Sequence, residues 1–413
     1  MKKSFLISDV TRGVLFNESD FRSIKKELNS KRSLNLDDDK STINKFEEKF
    51  SKIVKKNYSV TMSSCTAAIR VACQVVGIKK NDEVIACVHS FWNTIVPSVE
   101  FGAKLVFIDT KKNSLSIDEK ILEKIITKKT KAVINWSHGG NPCRSDIIYK
   151  ICKRHGVVLI EDCAHSLGSY INNKPSGYYS DISCYSFSTQ KNIVTLGEGG
   201  MLVTNNFEYA KKARGLKLCY PYGDLENYKK KENVYNDSKY LSFLRPPTSV
   251  FEGYYKNINA IGTNYKMTAV QAAVGLNQIK KLKKYINIRI MIAKLYSDFI
   301  CNNKSFFELF NEEKNVKNCF HLFSFIIKKN NYFSRDAFIK QLLKNGLDIR
   351  NRFWPINLHP AIQKNLKKNI KTPNYNDIWF NKMISLTISA AMKKKEANRI
   401  INILKKTVKD FLK

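Results

Sequence analysis

The stretch DISCYSFSTQKNIVTLGEGG, Asp181 to Gly200, opens as a short apolar strand from Ile182 to Phe187 and breaks into a polar turn that carries Lys191. It closes on a glycine-bracketed acid, Gly197-Glu198-Gly199-Gly200, and a second apolar strand, Met201 to Thr204, follows at once. A buried strand holds an ammonium only at high cost, whereas a turn at its end can present one to a cleft. Glycines close behind let the backbone come near a ligand. Lysine is also the side chain that condenses with carbonyls once its pKa falls. On composition alone a lysine is a solvated surface group, so Lys191 takes its meaning from what surrounds it.

Upstream, strands and helices alternate. Val84 to Cys87, Leu105 to Asp109, Ala132 to Trp136 and Val157 to Ile160 read as apolar strands. Between them the spacing predicts helices over Asn93 to Phe101, Ser116 to Ile126 and Ser145 to His155, the last with Ile147, Ile148, Ile151 and Cys152 inward and Gly156 just past its end. Earlier, Thr42 to Val54 repeats Phe46, Phe50 and Ile53 at helical spacing, and Cys65 opens an apolar helix through Val76. Residues 1 to 40 read as peripheral. Such alternation implies a mainly parallel central sheet with helices on both faces, the α/β class. Ligands in these sheets lie beyond the carboxyl ends of the strands, where Asp162, His165, Ser186 and Lys191 all fall.

Downstream the pattern dissolves into charge, Tyr, Asn and Pro over about 216–262, read as a long loop or insertion. A long helix follows Asn264-Tyr265-Lys266-Met267. Strand 321–327, helix 335–346, a break at Arg352-Phe353-Trp354-Pro355 and a closing helix from Ala397 to Leu412 complete a smaller C-terminal α/β domain. The expected division is a large domain over 1–285 and a small one over 286–413, with no internal repeats.

With 413 residues and 43% hydrophobic content, the chain is long enough for two packed domains and ordinary for a globular protein. The N-terminal apolar run is too short for a signal peptide and no stretch reaches the length of a membrane span, so a cytoplasmic protein without membrane contact is expected. The ten cysteines form no CxxC pair, which argues against zinc ribbons, redox motifs and disulfides. The net charge of +35 is spread along the whole length and no nucleic-acid motif accompanies it. The expectation is therefore no nucleic-acid partner, although such a field would favour an anionic small substrate.

The polar groups at the strand ends then fall into a pattern. Asp162, ending a buried strand, would hold negative charge against a cationic ring nitrogen, the partner that pyridoxal phosphate needs as an electron sink; an ion-paired helix cap would look the same. His165 could touch the cofactor's phenolic oxygen or fill the site wall. Ser186, five residues before Lys191, could bind a phosphate. Cys65 and Thr66 at a helix start offer amides to the same group. Phe91 could stack on a planar ring or belong to the core.

These residues sit in SSCTAAI (63–69), SFWNTIVPSVEFGAKLVFID (90–109), HGGNP (138–142), IEDCAHSLGS (160–169), SFSTQKNIVTLGEGGM (186–201), NYKMTAVQAAVGLNQI (264–279) and WPINLHPA (354–361). Together they resemble the DegT/StrS-type (DegT/DnrJ/EryC/StrS) sugar aminotransferases, pyridoxal-phosphate enzymes of aminotransferase fold type I. The resemblance implies that Lys191 forms the Schiff base with the cofactor and then moves the proton. It implies that Asp162 pairs with the pyridine nitrogen, that His165 lies near the ring oxygen and that Phe91 stacks on the ring. It places the phosphate on Cys65, Thr66 and Ser186, with Asn264 reaching the cofactor phosphate of a neighbouring subunit, hence a homodimer with shared sites. The implied reaction takes an amino group from L-glutamate, through pyridoxamine phosphate, to a nucleotide-linked keto sugar. Two alternatives share the fold: a sugar dehydratase, whose known representatives carry His where Lys191 stands, and a non-catalytic regulatory ligand binder. Cys65 replaces a usual Gly, Ser188 a usual aromatic or His, and Lys266 a usual Arg; with the long 216–262 segment, these departures bear on the sugar rather than on the cofactor.

Overall fold

The computed structural model describes residues 13–34, 41–218, 261–349, 351–367 and 371–413. Residues 219–260, most of the expected insertion, lie outside the described residues. The strands of the N-terminal part are β1 (Tyr58–Met62), β2 (Glu83–Cys87), β3 (Lys104–Ile108), β4 (Thr130–Trp136), β5 (Val158–Asp162), β6 (Tyr170–Ile171), β7 (Lys174–Pro175), β8 (Ile182–Ser186) and β9 (Gly200–Thr204). Seven of them form one sheet in the order β1-β9-β8-β5-β4-β2-β3. The pairs from β3 through β8 are parallel, while β8–β9 and β9–β1 are antiparallel. The sheet is thus mainly parallel, as the alternation implied.

β2, β8 and β9 are buried at every residue. That is what strands covered on both faces require, and it explains why these strands carry apolar residues on both faces and bury even Glu83 and Ser183. Neighbouring residues still point to opposite faces. Ile160 packs with α3 (Cys65–Val75) in one core, and Leu159 packs in another with α5 (Glu119–Ile125) and α6 (Ser145–Arg154). The parallel register sets Trp136 beside Asp162 and Asp162 beside Cys184. The carboxyl ends of β4, β5 and β8 therefore gather at one edge.

Several expected boundaries shift. The helix expected from Ser116 starts only at Glu119, because Asp118 caps it through Oδ1, accepting from the amides of Lys120 and Ile121. Just before it, Ile117 forms an isolated antiparallel bridge with Thr110. The strand read as ending at Ile160 runs through Asp162, so the acid is the last residue of the strand itself. α4 (Trp92–Glu100) starts one residue early, and the closing helix begins a turn earlier, at Lys394, with the Glu396 carboxylate accepting from the Lys393 amide.

A 34-residue helix, α8 (Ala269–Asn302), follows the N-cap Thr268, whose capping box with Gln271 fixes its start. Its first half, Ala269 to Ile286, packs with Phe46 and Phe50 of α2 (Thr42–Val54) and with Phe187. Its second half, from Ile292, packs with an aromatic core of Phe307, Phe325, Phe333 and Phe338. That core is closed by the antiparallel sheet β10 (Phe307–Leu309), β12 (Phe323–Ile327) and β13 (Met383–Leu386) and by α9 (Arg335–Lys344) and α10 (Lys394–Leu412). β11 (Val316–Lys317) joins β6 and β7 in a small separate sheet.

Most of the described part of residues 1 to 40 is exposed, in keeping with its expected peripheral character, but Gly13, Val14 and Asp20 are buried. α1 (Glu18–Leu28) buries Asp20 completely, and that carboxylate accepts from Asn277, Gln278 and Lys281 of α8. Phe21 and Leu28 of this helix are exposed, so the charge does the docking. Gly13 donates its amide to Thr189 O at 2.8 Å, and a Cβ there would overlap the Lys191 carbonyl. Its own carbonyl accepts from the Ala390 amide. The segment at Gly13 is a strut between the Lys191 turn and the C-terminal part.

Candidate active site

The Lys191 turn, the start of α3, the ends of β5 and β8, and residues 321 and 352–353 enclose a cavity of about 280 Å³. Its lining includes Cys65, Thr66, Phe91, Asp162, His165, Ser186, Lys191, Glu198, His321 and Arg352. Seven of the eight residues expected at the site therefore meet, although they come from four separate stretches of sequence. Asn264 is the exception: it is exposed and does not line this cavity, and its Oδ1 accepts from the Lys266 amide at 3.4 Å.

Lys191 holds its turn through its own amide, bonded to Ser188 O at 2.9 Å. Removal of its amine from water pulls the pKa down to about 8, against the opposing attraction of Asp162 and Cys65. A lysine so shifted carries a substantial neutral, nucleophilic fraction near physiological pH.

Asp162 is 3% exposed. Burial pushes its pKa up, and three donors work against that. Thr94 Oγ1 donates to Oδ2 at 2.6 Å, and the Ala164 amide donates to Oδ1 at 3.0 Å. The Cys65 thiol approaches Oδ1 at 3.8 Å. With Lys191 contributing its charge, this set favours the carboxylate, the form that would face a cationic ring nitrogen. Thr94 was quoted within a motif but not read as part of the site. A hydroxyl four residues into a buried segment gives no signal of its target until β5 is placed beside it.

His165 accepts the Gly139 amide on Nδ1 at 3.3 Å, which leaves its proton on Nε2. Its ring leans on Trp136, centroids 5.3 Å apart, and on His321, 4.0 Å apart. Burial, with His321 and Lys191 adding to it, holds its pKa well below the usual imidazole range, so it is a neutral donor. Phe91 is 41% exposed at the cavity mouth, meeting Phe353 edge-on at 5.1 Å. A planar ligand entering there would meet its ring.

The other end of the cavity is built for an anion. Ser64 caps α3, accepting the Ala67 amide on Oγ at 3.1 Å. The amides of Cys65 and Thr66 fall in the first turn, where a helix supplies no acceptor of its own and the dipole favours negative charge. Ser186 ends β8 opposite Gly200. Gly200 lets the strand lie directly on this turn: a Cβ there would stand 2.6 Å from the Cys65 amide nitrogen and closer still to the Ser64 carbonyl. Backbone cannot move aside as a side chain can. The expected outcome for Gly200→Ala is a folded protein that binds pyridoxal phosphate about 10- to 100-fold more weakly, measured by equilibrium titration. Unchanged affinity would show that this turn is not the phosphate seat.

A buried carboxylate held by donors, a lysine with a depressed pKa and a helix start beside a serine match, in order, the ring nitrogen, aldehyde and phosphate of pyridoxal phosphate. Arg352, Phe353, Glu198 and His321 were not predicted. Arg352 and Phe353 lay in a segment noted only as a break, and Glu198 only as a glycine-flanked acid.

The sequence profile of the DegT/DnrJ/EryC1/StrS aminotransferase family matches residues 19–405. An uncharacterized protein of Methanocaldococcus jannaschii is 32% identical over 371 residues, covering 89% of this chain and 90% of the relative. The GDP-perosamine synthase of Vibrio cholerae is 28% identical over 321 residues, covering 78% of this chain and 79% of that enzyme. In fold, the chain is similar to Helicobacter pylori PseC, an aminotransferase of pseudoaminic acid biosynthesis: the TM-score is 0.82 at 23% identity, over 99% of this chain and 100% of that one.

Proposed function

This chain belongs to the DegT/DnrJ/EryC1/StrS aminotransferase family, and from that premise we propose that it moves an amino group from L-glutamate onto a nucleotide-linked keto sugar of the keto-deoxyhexose type, in amino-sugar or surface-polysaccharide biosynthesis. The observation that carries this is the pairing of a depressed Lys191 with a buried, donor-held Asp162 in one cavity. Pyridoxal phosphate, when bound, supplies the electron sink on which amine and carbonyl are exchanged.

The chain's own residues supply the rest. Lys191 holds the cofactor's aldehyde and moves one proton off and one proton on in each half-reaction. Asp162 fixes the ring nitrogen. His165 offers Nε2–H to the ring oxygen. Cys65, Thr66 and Ser186 seat the phosphate, and Phe91 closes on the ring. Asn264, exposed and away from its own cavity, is assigned to the phosphate of a second subunit, which makes the working unit a homodimer. The change of core along α8 between Ile286 and Ile292 supports a domain division near residue 286. No helix among the described residues is long and apolar enough to cross a membrane. A cytoplasmic enzyme without membrane or nucleic-acid partners completes the proposal.

The purified protein, loaded with cofactor, is expected to show the visible absorption of a lysine-linked aldehyde and to lose it on addition of L-glutamate. Nucleotide-linked keto sugars would then restore it, and a panel of them identifies the acceptor. A spectrum indifferent to L-glutamate and to other amino donors would overturn the aminotransferase assignment.

A further inference from the structure

Asn192, the residue after Lys191, decides the state of a second imidazole in this cavity. Its Nδ2 donates to Leu167 O at 2.8 Å and to Cys319 Sγ at 3.1 Å. Turning the amide over would set its oxygen against the Leu167 carbonyl, two acceptors face to face, so the orientation is fixed. Oδ1 is thereby directed at His321 Nδ1, 3.4 Å away. Oδ1 can only accept, so His321 carries its proton on Nδ1. The lone pair is left on Nε2, at the opposite edge of a ring that lines the cavity.

His165, stacked on it at 4.0 Å, has the reverse arrangement, with Nδ1 accepting from Gly139 and Nε2 donating. Two neighbouring rings that line one cavity thus carry opposite Nε2 atoms, a donor on His165 and an acceptor on His321. The acceptor does not become a base. An imidazolium at His321 would form out of water and against Lys191, Arg289, Arg352 and His138, all of which oppose its charge along with burial itself. It stays neutral and takes a hydrogen bond without taking the proton.

We propose that His321 Nε2 is a specificity-determining acceptor that receives a hydroxyl on the sugar carbon next to the reacting carbonyl. This rests on the keto-sugar reading above. Lys191 handles the reacting carbon, so groups on the adjacent carbon are those that reach the lysine's neighbours. A hydroxyl satisfies the lone pair; a deoxygenated carbon leaves it unpaired on a buried ring, and an O-acylated one confronts it with another acceptor.

Two measurements test this. In the holoenzyme labelled with ¹⁵N-histidine, nitrogen–proton correlation spectra are expected to show His321 as the Nδ1–H tautomer, its signals assigned by their loss in His321→Gln. Removing the acceptor in Asn192→Leu is expected to shift that population toward Nε2–H; an Nε2–H tautomer in the unaltered enzyme would overturn the proposal. The second measurement compares two nucleotide-linked keto sugars differing only in the hydroxyl beside the carbonyl. The ratio of their kcat/KM values is expected to favour the hydroxylated sugar and to fall about 10- to 100-fold in His321→Phe, with His321→Gln, which still offers an acceptor, restoring part of it. An unchanged ratio in His321→Phe would overturn the acceptor role alone. Failure of the unaltered enzyme to aminate any keto sugar would overturn the keto-sugar reading, and the hydroxyl assignment with it.

Discussion

Lys191→Ala is expected to lower transamination by roughly ten-thousand-fold or more, since the same amine holds the cofactor and carries both protons of each half-reaction. The loss should not come from unfolding. A lysine whose folded pKa of about 8 lies below its usual 10.5 is charged at a cost to the folded state wherever pH is below the unfolded value. At pH 7 the alanine variant should therefore melt no lower than the parent protein. The same shift gives a pH signature in the unsubstituted chain. Freed of cofactor, its rate of covalent reloading with pyridoxal phosphate is expected to rise about tenfold per pH unit below 8, as the neutral amine accumulates, and to level above it. A rate still climbing at pH 10 would mean an ordinary solvated lysine. A Lys191→Ala protein that still exchanges amino groups would remove the basis of the assignment.

Why Lys191 could be picked out at all is instructive. Its strand, its turn and its glycines are contiguous, and so are the runs of β2, β4, β5 and β8, whose apolar-rich centres mark strands covered on two faces. Local signals of this kind survive in sequence. Parallel order then puts every strand's carboxyl end on one edge, so Asp162 and Ser186 could be placed near Lys191 before any coordinates. What sequence did not show is anything settled by one element lying against another. Thr94 meets Asp162 across 68 positions. His321 meets Asn192 across 129, from a loop in the other half of the chain. Gly13 reached the lysine turn from a segment whose composition suggested a loose end, because a glycine reports room for backbone and not whose backbone. The helix start at Asp118 was missed for a related reason: Ser116 and Asp118 are both capable caps, and only the bridge between Ile117 and Thr110 decides between them.

Asp162→Asn separates charge from shape. An asparagine fits the same space and can still accept the Ala164 amide, while its NH2 meets Thr94 Oγ1, now as donor. Packing around β5 is kept, so the variant should fold and melt close to the parent. What disappears is the counter-charge to a protonated ring nitrogen at a buried position. Losing one partner of a buried charge pair costs about 3–5 kcal/mol, which corresponds to a rate lowered by roughly a hundred- to ten-thousand-fold if the whole of it is felt in the reacting state. Weaker retention of the cofactor on dialysis should accompany it. Thr94→Val is the graded partner of this experiment. The carboxylate remains but loses its shortest donor, burial raises its pKa further, and a fall of about tenfold is expected, recovered in part by Thr94→Ser, which returns the hydroxyl. The ordering follows from the geometry: Asp162→Asn worst, Thr94→Val between, Thr94→Ser nearest the parent. If Asp162→Asn and Thr94→Val were equally mild, the carboxylate would be holding up β5 and not a ring nitrogen, and the cavity would have to be read from its anion end alone.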